Sequence, residues 1–242
     1  MRVGHGDWEL VLRPERGCRI TSLRLRGEEM LDQGIGVDQP GAEDFVEGGA
    51  FGWDELVPNL EAAGALPDHG EAWRLPWEVL EQSSRSIRAR ARGRMLPWEL
   101  ERRIEVGETV RLTYVYKNVE GPPHRAFWCA HPLFRYEVGM TIGVPGGGPL
   151  GSLAPGTSTK VFLEPGAVDR ATLRWPSGTS IELRWDSTST PYTGIWACNG
   201  DLGGYRQVAI EPATAGGHAG DEAPLLEAGA TLEWWLEVRE SS

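Results

Sequence analysis

The feature that most constrains this chain is an alternation with a period of two. Trp98, Leu100, Arg102, Ile104 and Val106 alternate with Glu99, Glu101, Arg103 and Glu105, and Val110, Leu112, Tyr114 and Tyr116 alternate with Arg111, Thr113 and Lys117. Near the end, Leu232, Trp234, Leu236 and Val238 alternate with Glu233, Glu237 and Arg239, Trp235 being the exception. Shorter runs of the same kind occupy 8–12, 23–26, 87–91 and 181–185. Successive side chains of a strand point to opposite faces, so each run offers one face to a core and one to water, the pattern of antiparallel sheets. Turn formers punctuate the runs, as in Arg26-Gly27-Glu28, Val106-Gly107-Glu108 and Pro176-Ser177-Gly178. No amphipathic helical period persists beyond three turns. The expectation is an all-β chain folded as a large antiparallel β-sandwich. No fixed-period repeat is present, which argues against propellers and solenoids.

A length of 242 residues suits one large sandwich, so residues 1–242 are expected to form a single domain. The Gly- and Pro-rich stretch Gly143 to Ser158 has strand-like sequence on both sides and reads as a loop of that sandwich rather than as a linker. Its Gly146-Gly147-Gly148 mimics a phosphate loop, but no Lys-Ser/Thr and no helix follow, and no nucleotide or other cofactor is expected. With 24 basic and 35 acidic side chains the net charge is −11, which repels phosphate backbones and anionic membranes alike. Met1 to Leu10 carries Arg2, Asp7 and Glu9 and has no apolar stretch of signal-peptide length, so a cytoplasmic protein is expected. Cys18, Cys129 and Cys198 are odd in number, far apart and set in apolar surroundings, which reads as buried free thiols. Neither Cys-x-x-Cys nor His-Glu-x-x-His occurs, and no metal site is expected.

Three places could carry chemistry. In Phe127-Trp128-Cys129-Ala130-His131-Pro132 an apolar run ends in a histidine before proline, and in Gln207-Val208-Ala209-Ile210-Glu211-Pro212 another ends in a glutamate before proline. Proline holds the preceding residue extended and interrupts ladder pairing, so both ionisable groups sit at the ends of buried strands, aimed into a cleft. A partly desolvated glutamate and a histidine titrating near neutrality suit base and acid roles. The plain alternative is a turn residue bonding the local backbone. The third place, Gly48 to Trp77, is dense in turn formers and carries Trp53, Trp73 and Trp77 with Asp54, Glu55, Asn59, His69, Glu71 and Arg74. Flat aromatic platforms with directional polar groups are what a small-ligand site needs, although the tryptophans could equally plug the end of the sandwich.

These pieces, taken in order, resemble the aldose 1-epimerase, or galactose mutarotase-like, family. Pro67-Asp68-His69-Gly70-Glu71 with Trp73 and Trp77 resembles its His-Gly segment, and His131-Pro132-Leu133-Phe134 its His-Pro-Tyr-Phe signature, with Leu133 in place of tyrosine. Pro191-Tyr192-Thr193-Gly194-Ile195-Trp196 resembles the strand lining the sugar pocket. Ala209-Ile210-Glu211-Pro212 with Thr214 resembles the segment of the catalytic glutamate, and Leu226 to Leu232 the turn before the last strand. The resemblance implies the family's supersandwich and a sugar as small-molecule partner, with the oligomeric state left open. It implies Glu211 as the base on the anomeric hydroxyl and His131 as the acid on the ring oxygen. His69 would hold the sugar, with Trp53, Trp73, Trp196, Asn59 and Asp54 as further binding candidates. The family's arginine has no counterpart in Val57-Pro58-Asn59-Leu60-Glu61, and Arg74, beyond His69, is the candidate replacement. For its sugar-binding aspartate only Asp169 and Asp186 are available. The implied function is a sugar 1-epimerase needing neither metal nor cofactor. The alternatives are a non-catalytic carbohydrate-binding protein and a hexose-6-phosphate epimerase, whose phosphate would draw on Arg74, Arg135 and Arg206.

Overall fold

The alternating runs form the strands their spacing predicts. Trp98–Val106 and Val110–Asn118 close a hairpin over Gly107, with Val106 opposite Val110. The final run becomes Thr231–Glu240 and pairs with Val110–Asn118 on one side and Ser180–Trp185 on the other. The computed structural model describes residues 1–39, 42–146, 152–216 and 222–241.

Among the described residues the strands make two large antiparallel sheets. The first runs Arg2–His5, Trp8–Arg13, Arg19–Leu25, Gly52–Leu56, Cys129–Arg135, Arg206–Ala213, Tyr192–Asn199, Thr157–Leu163. The second runs Thr141–Gly143, Arg170–Arg174, Ser180–Trp185, Thr231–Glu240, Val110–Asn118, Trp98–Val106, Ser86–Arg92, Glu78–Gln82. One hydrophobic cluster fills the space between them. It takes Leu10, Trp53, Phe134, Ile195 and Ile210 from the first sheet and Leu100, Leu112, Leu183, Trp234 and Leu236 from the second. The fold is therefore the expected all-β sandwich. On its wet face the second sheet pairs the polar halves of its alternation, as in Arg88 with Glu101 and Glu81 and Arg90 with Glu78. Such exposed pairs each add well under about 1 kcal/mol.

The central strands of the first sheet are covered on both faces. Gly52–Leu56 is buried at every position and Cys129–Arg135 at all but its last. This is why these strands read in sequence as continuous apolar runs rather than alternating ones. A second, smaller cluster lies on the outer face, where Leu133, Ala209, Cys129 and Ala213 meet Phe45, Trp73 and Phe127 from the covering segments.

One expectation needs correction here. Trp53 and Trp77 belong to the core between the sheets and are not walls of a pocket, because residue 53 falls on the inward parity of its strand and the Trp77 indole bonds the Ala72 carbonyl at 3.1 Å. The segment 143–158 ends one strand and begins another, carrying the chain from the edge of the second sheet to the edge of the first. Its residues 147–151, which include Gly147 and Gly148, lie outside the described residues. Beyond them the chain is tied down by the Leu153 amide to the Tyr136 hydroxyl at 2.9 Å and the Asn199 side chain to the Leu153 carbonyl at 2.9 Å. All three cysteines are buried and unpaired. No helix among the described residues is long and apolar enough to cross a membrane.

Candidate active site

The register of the first sheet brings the two proline-flanked groups together. Cys129 lies opposite Ala213 and Leu133 opposite Ala209, which sets His131 directly across from Glu211. Residues opposite one another share a face. His131 is in turn opposite Asp54, and Glu211 opposite Gly194, which is opposite Phe162. One row therefore crosses five strands on the outer face: Asp54, His131, Glu211, Gly194, Phe162. The inward neighbour Ile210 packs in the core, so the Ile210-Glu211 dipeptide serves the fold with one residue and the site with the next.

Over this row opens a cleft of roughly 750 Å³, lined by Phe45, His69, His131, Lys160, Trp196, Gln207 and Glu211 among others. That volume lies within the usual ~300–1,000 Å³ of small-ligand sites. His131 Nε2 stands 3.8 Å from Glu211 Oε1, and both side chains are almost wholly buried. Neither Glu211 Oε1 nor His131 Nδ1 has a hydrogen-bond partner among the described residues. Burial, with His69, Lys160 and Arg19 adding to it, pushes the His131 pKa well below its ordinary value, so the imidazole is neutral at neutral pH. The other carboxylate oxygen, Glu211 Oε2, accepts a hydrogen bond from Lys160 Nζ. A side chain at residue 194 would crowd that contact: a Cβ there would lie 3.0 Å from Glu211 Oε2 and 3.2 Å from Lys160 Cε.

His69 enters from the covering segment. Its ring stacks on Phe45 at 4.4 Å between centroids and meets the His131 ring edge-on at 5.5 Å. Its Nδ1 lies 2.6 Å from Asp68 Oδ2, a contact that holds the Asp68 pKa below its usual range. The bend that delivers it needs Gly70, whose φ of +64° and 2.2 Å approach of a built Cβ to the Val57 carbonyl oxygen exclude any other residue without movement.

The remaining candidates are sorted by their surroundings. Trp196 lines the cleft. Trp73 does not; it is buried behind Phe45, edge-on at 5.1 Å, with its indole N–H on the Gly70 carbonyl. Asn59 is fully buried and donates to the Glu61 and Pro67 carbonyls at 2.7 and 2.6 Å, which pins the covering loop instead of presenting an amide to a ligand. Asp54 shares the face of His131, yet its carboxylate is sealed off by Arg19, at 2.9 and 2.7 Å. Arg74 sits in the short 3-10 turn Ala72–Arg74, outside the cleft lining. Asp169 and Asp186 belong to the periphery of the second sheet, where Asp186 caps the Thr188 amide at 3.1 Å. Arg135 is engaged by Glu28 and Glu137, and neither it nor Arg206 lines the cleft. The arginine cluster a phosphate would need is therefore not assembled there. No group of three His, Cys, Asp or Glu among the described residues stands close enough to hold a metal ion.

Sequence reasoning missed Lys160, Gln207 and Phe45. Lys160 lies on Thr157–Leu163, whose first two residues fall within the expected loop, and the Lys160-Val161-Phe162-Leu163 run is the signal of that strand. Gln207 opens the Glu211 strand, where its side chain bonds Asp32 at 2.8 Å and the Ala50 carbonyl, bracing the cleft wall.

Comparison with known proteins follows the same lines. No protein-family model matches the sequence, and none of the curated proteins does. Solved structures do match in fold. The Slr1438 protein of Synechocystis sp. PCC 6803 superposes with a TM-score of 0.81 at 18% identity, over 100% of this chain and 95% of that one. An Escherichia coli K12 protein provisionally described as an aldose 1-epimerase gives 0.78 at 14% identity, over 99% and 98%. A galactose mutarotase-like protein from Lactobacillus casei ATCC 334 gives 0.74 at 17%, over 100% and 99%. At these identities the likeness defines a class of fold. The chain is an antiparallel β-sandwich with an open cleft on the outer face of one sheet. That architecture is the galactose mutarotase-like fold.

Proposed function

We propose that the cleft binds a free aldose and interconverts its α and β anomers by opening and reclosing the ring. The observation that carries this reading is the pairing of Glu211 Oε1 with His131 Nε2 at 3.8 Å on adjacent strands at the cleft floor. A sugar presents its anomeric hydroxyl and ring oxygen on the same carbon, and a base and an acid this close reach both. Glu211 takes the hydroxyl proton as the bond from C1 to the ring oxygen breaks, and His131 gives a proton to that oxygen. The product is the open aldehyde. Rotation about C1–C2 and the reverse transfers give the other anomer and restore both groups. Burial keeps most of His131 neutral at neutral pH, so the acid role falls to its sparsely populated charged form, whose lowered pKa makes it a strong acid suited to an ether oxygen of low basicity. His69, stacked on Phe45, and Trp196 supply the polar and flat surfaces that hold a ring. The sandwich of residues 1–242 works in this reading as one unit, with the sugar as its partner and without metal or cofactor. The Escherichia coli and Lactobacillus casei fold relatives support it by their descriptions.

The test is NMR exchange spectroscopy on equilibrated glucose and galactose. Wild-type protein is expected to accelerate anomer exchange over buffer, and Glu211→Gln to reduce that acceleration about 10²–10⁴-fold. A Glu211→Gln protein of unchanged rate would rule out the mechanism. Saturable sugar binding with no acceleration by the wild type would instead leave a carbohydrate-binding protein.

A further inference from the structure

We propose that Lys160 is a positioning residue of this site: its ammonium anchors one carboxylate oxygen of Glu211, holding the carboxylate ionised and its second oxygen turned toward His131. The inference rests on the reading of the cleft as a sugar site and adds a group that reading does not contain. Lys160 lies on Thr157–Leu163, two strands away from Glu211 and opposite Trp196 in register. To reach Glu211 it must cross the intervening strand diagonally, and it crosses at Gly194, where no side chain stands in the way. The Lys160 side chain keeps 26% of its exposure while that of Glu211 keeps 2%, so the lysine meets the buried carboxylate from the open side of the cleft.

The other groups facing Glu211 cannot do this work. From Cys129–Arg135 come His131, which burial keeps neutral, and Cys129, whose thiol burial and the Glu211 charge push well above its ordinary pKa. From Tyr192–Asn199 comes Gly194, which carries no charge. From the covering segment come His69 and Asp68, which are paired with each other. Beyond His131, the Arg19 guanidinium is taken up by Asp54. A nearly buried carboxylate without a cationic partner favours its protonated form, and a protonated Glu211 is no base. Lys160 Nζ is the cation in direct contact with it. The division between the two carboxylate oxygens follows from the same contact: Oε2 is held, and Oε1 is left to accept a proton.

The experiment is a pH titration of the Glu211 carboxylate by 13C NMR on glutamate-labelled protein, the resonance being assigned by its loss in Glu211→Gln. Lys160→Met is expected to raise the titration midpoint by about 1–2 pH units, and Lys160→Arg to leave it within a few tenths of the wild-type value. Should the Met variant not fold, Lys160→Gln, which keeps a donor without its charge, is expected to behave as Met would. An unchanged midpoint in the uncharged variants overturns the proposal. In the anomer-exchange assay the acidic limb of the pH–rate profile should move by the same amount. A wild type that exchanges no anomers, with a midpoint that still depends on Lys160, would sink the epimerase reading while leaving the anchoring of Glu211 standing.

Discussion

In the proposed reaction two ionisable residues carry the chemistry, and their surroundings decide how each behaves. His131 is held neutral by burial, so the native protein binds fewer protons at this residue than the unfolded chain does. Stability then rises with pH across the interval between the two pKa values and is lost as pH falls below the unfolded value of about 6.5. His124, buried beside the Tyr116 hydroxyl, is shifted the same way, so His131 contributes part of the slope. His131→Gln is expected to flatten the loss of stability between pH 7 and pH 5, measured by urea unfolding at a series of pH values. A slope identical to the wild type would mean that this imidazole is far better solvated than its burial implies. Asp54 and Glu55 show the same lesson in another form. They are neighbours in sequence with opposite destinations, one under the cleft with Arg19 and the other in the core with Arg102.

At the level of single strands, Gly194 is the position where a side chain would meet the proposed base and its lysine. A methyl group there needs a few tenths of an ångström from the Glu211 carboxylate and the Lys160 stem, both of which are side-chain atoms that can shift. Gly194→Ala is therefore expected to leave the melting temperature within a few degrees and to reduce the acceleration of anomer exchange at least tenfold, since a base displaced by even 1 Å acts far less well. Loss of stability with full activity per folded molecule would contradict this. The strands themselves were legible in the sequence wherever one face meets water, as in Trp98–Val106, because period two is visible only when the faces differ. Cys129–Arg135 and Arg206–Ala213, covered on both sides, showed only apolar runs stopped at Pro132 and Pro212, which located His131 and Glu211 without showing that they face each other. Lys160 was hidden for a different reason. Its proposed role depends on reaching across an intervening strand, a relation that no spacing along the chain encodes. The tryptophans misled for a third reason: indole is suited to a sugar and to a core alike, and only strand parity separates Trp196 from Trp53.

Across the whole molecule, one buried ionic group ties the two sheets together. Arg102, from the second sheet, bonds Glu55 of the first at 2.7 Å and the Cys18 carbonyl, with side chains 1% and 0% exposed. Glu55 also accepts from the Tyr114 hydroxyl at 3.0 Å and the Trp128 indole at 2.7 Å, partners that oppose the rise in pKa that burial imposes on it. Arg102 was the one charged residue in the apolar half of its strand's alternation, a break in pattern that marks this contact. Arg102→Met leaves Glu55 buried without a counter-charge and is expected to cost about 3–5 kcal/mol of unfolding free energy by denaturant titration. A cost below about 1 kcal/mol would show that Glu55 is protonated in the native state and needs no counter-charge.

Because the cleft opens on the outer face of a sheet whose other face packs against the second, stability and specificity are drafted on separate sides of the same strands. Phe45, Lys160, Phe162, Trp196 and Gln207 touch whatever enters, while Trp53, Phe134, Ile195 and Ile210 never meet it. A combinatorial library confined to Phe45, Phe162 and Trp196 varies the cleft lining with the second group, Lys160 and Gln207 left intact. The scaffold is in that sense open to redesign, its cleft editable on one surface alone.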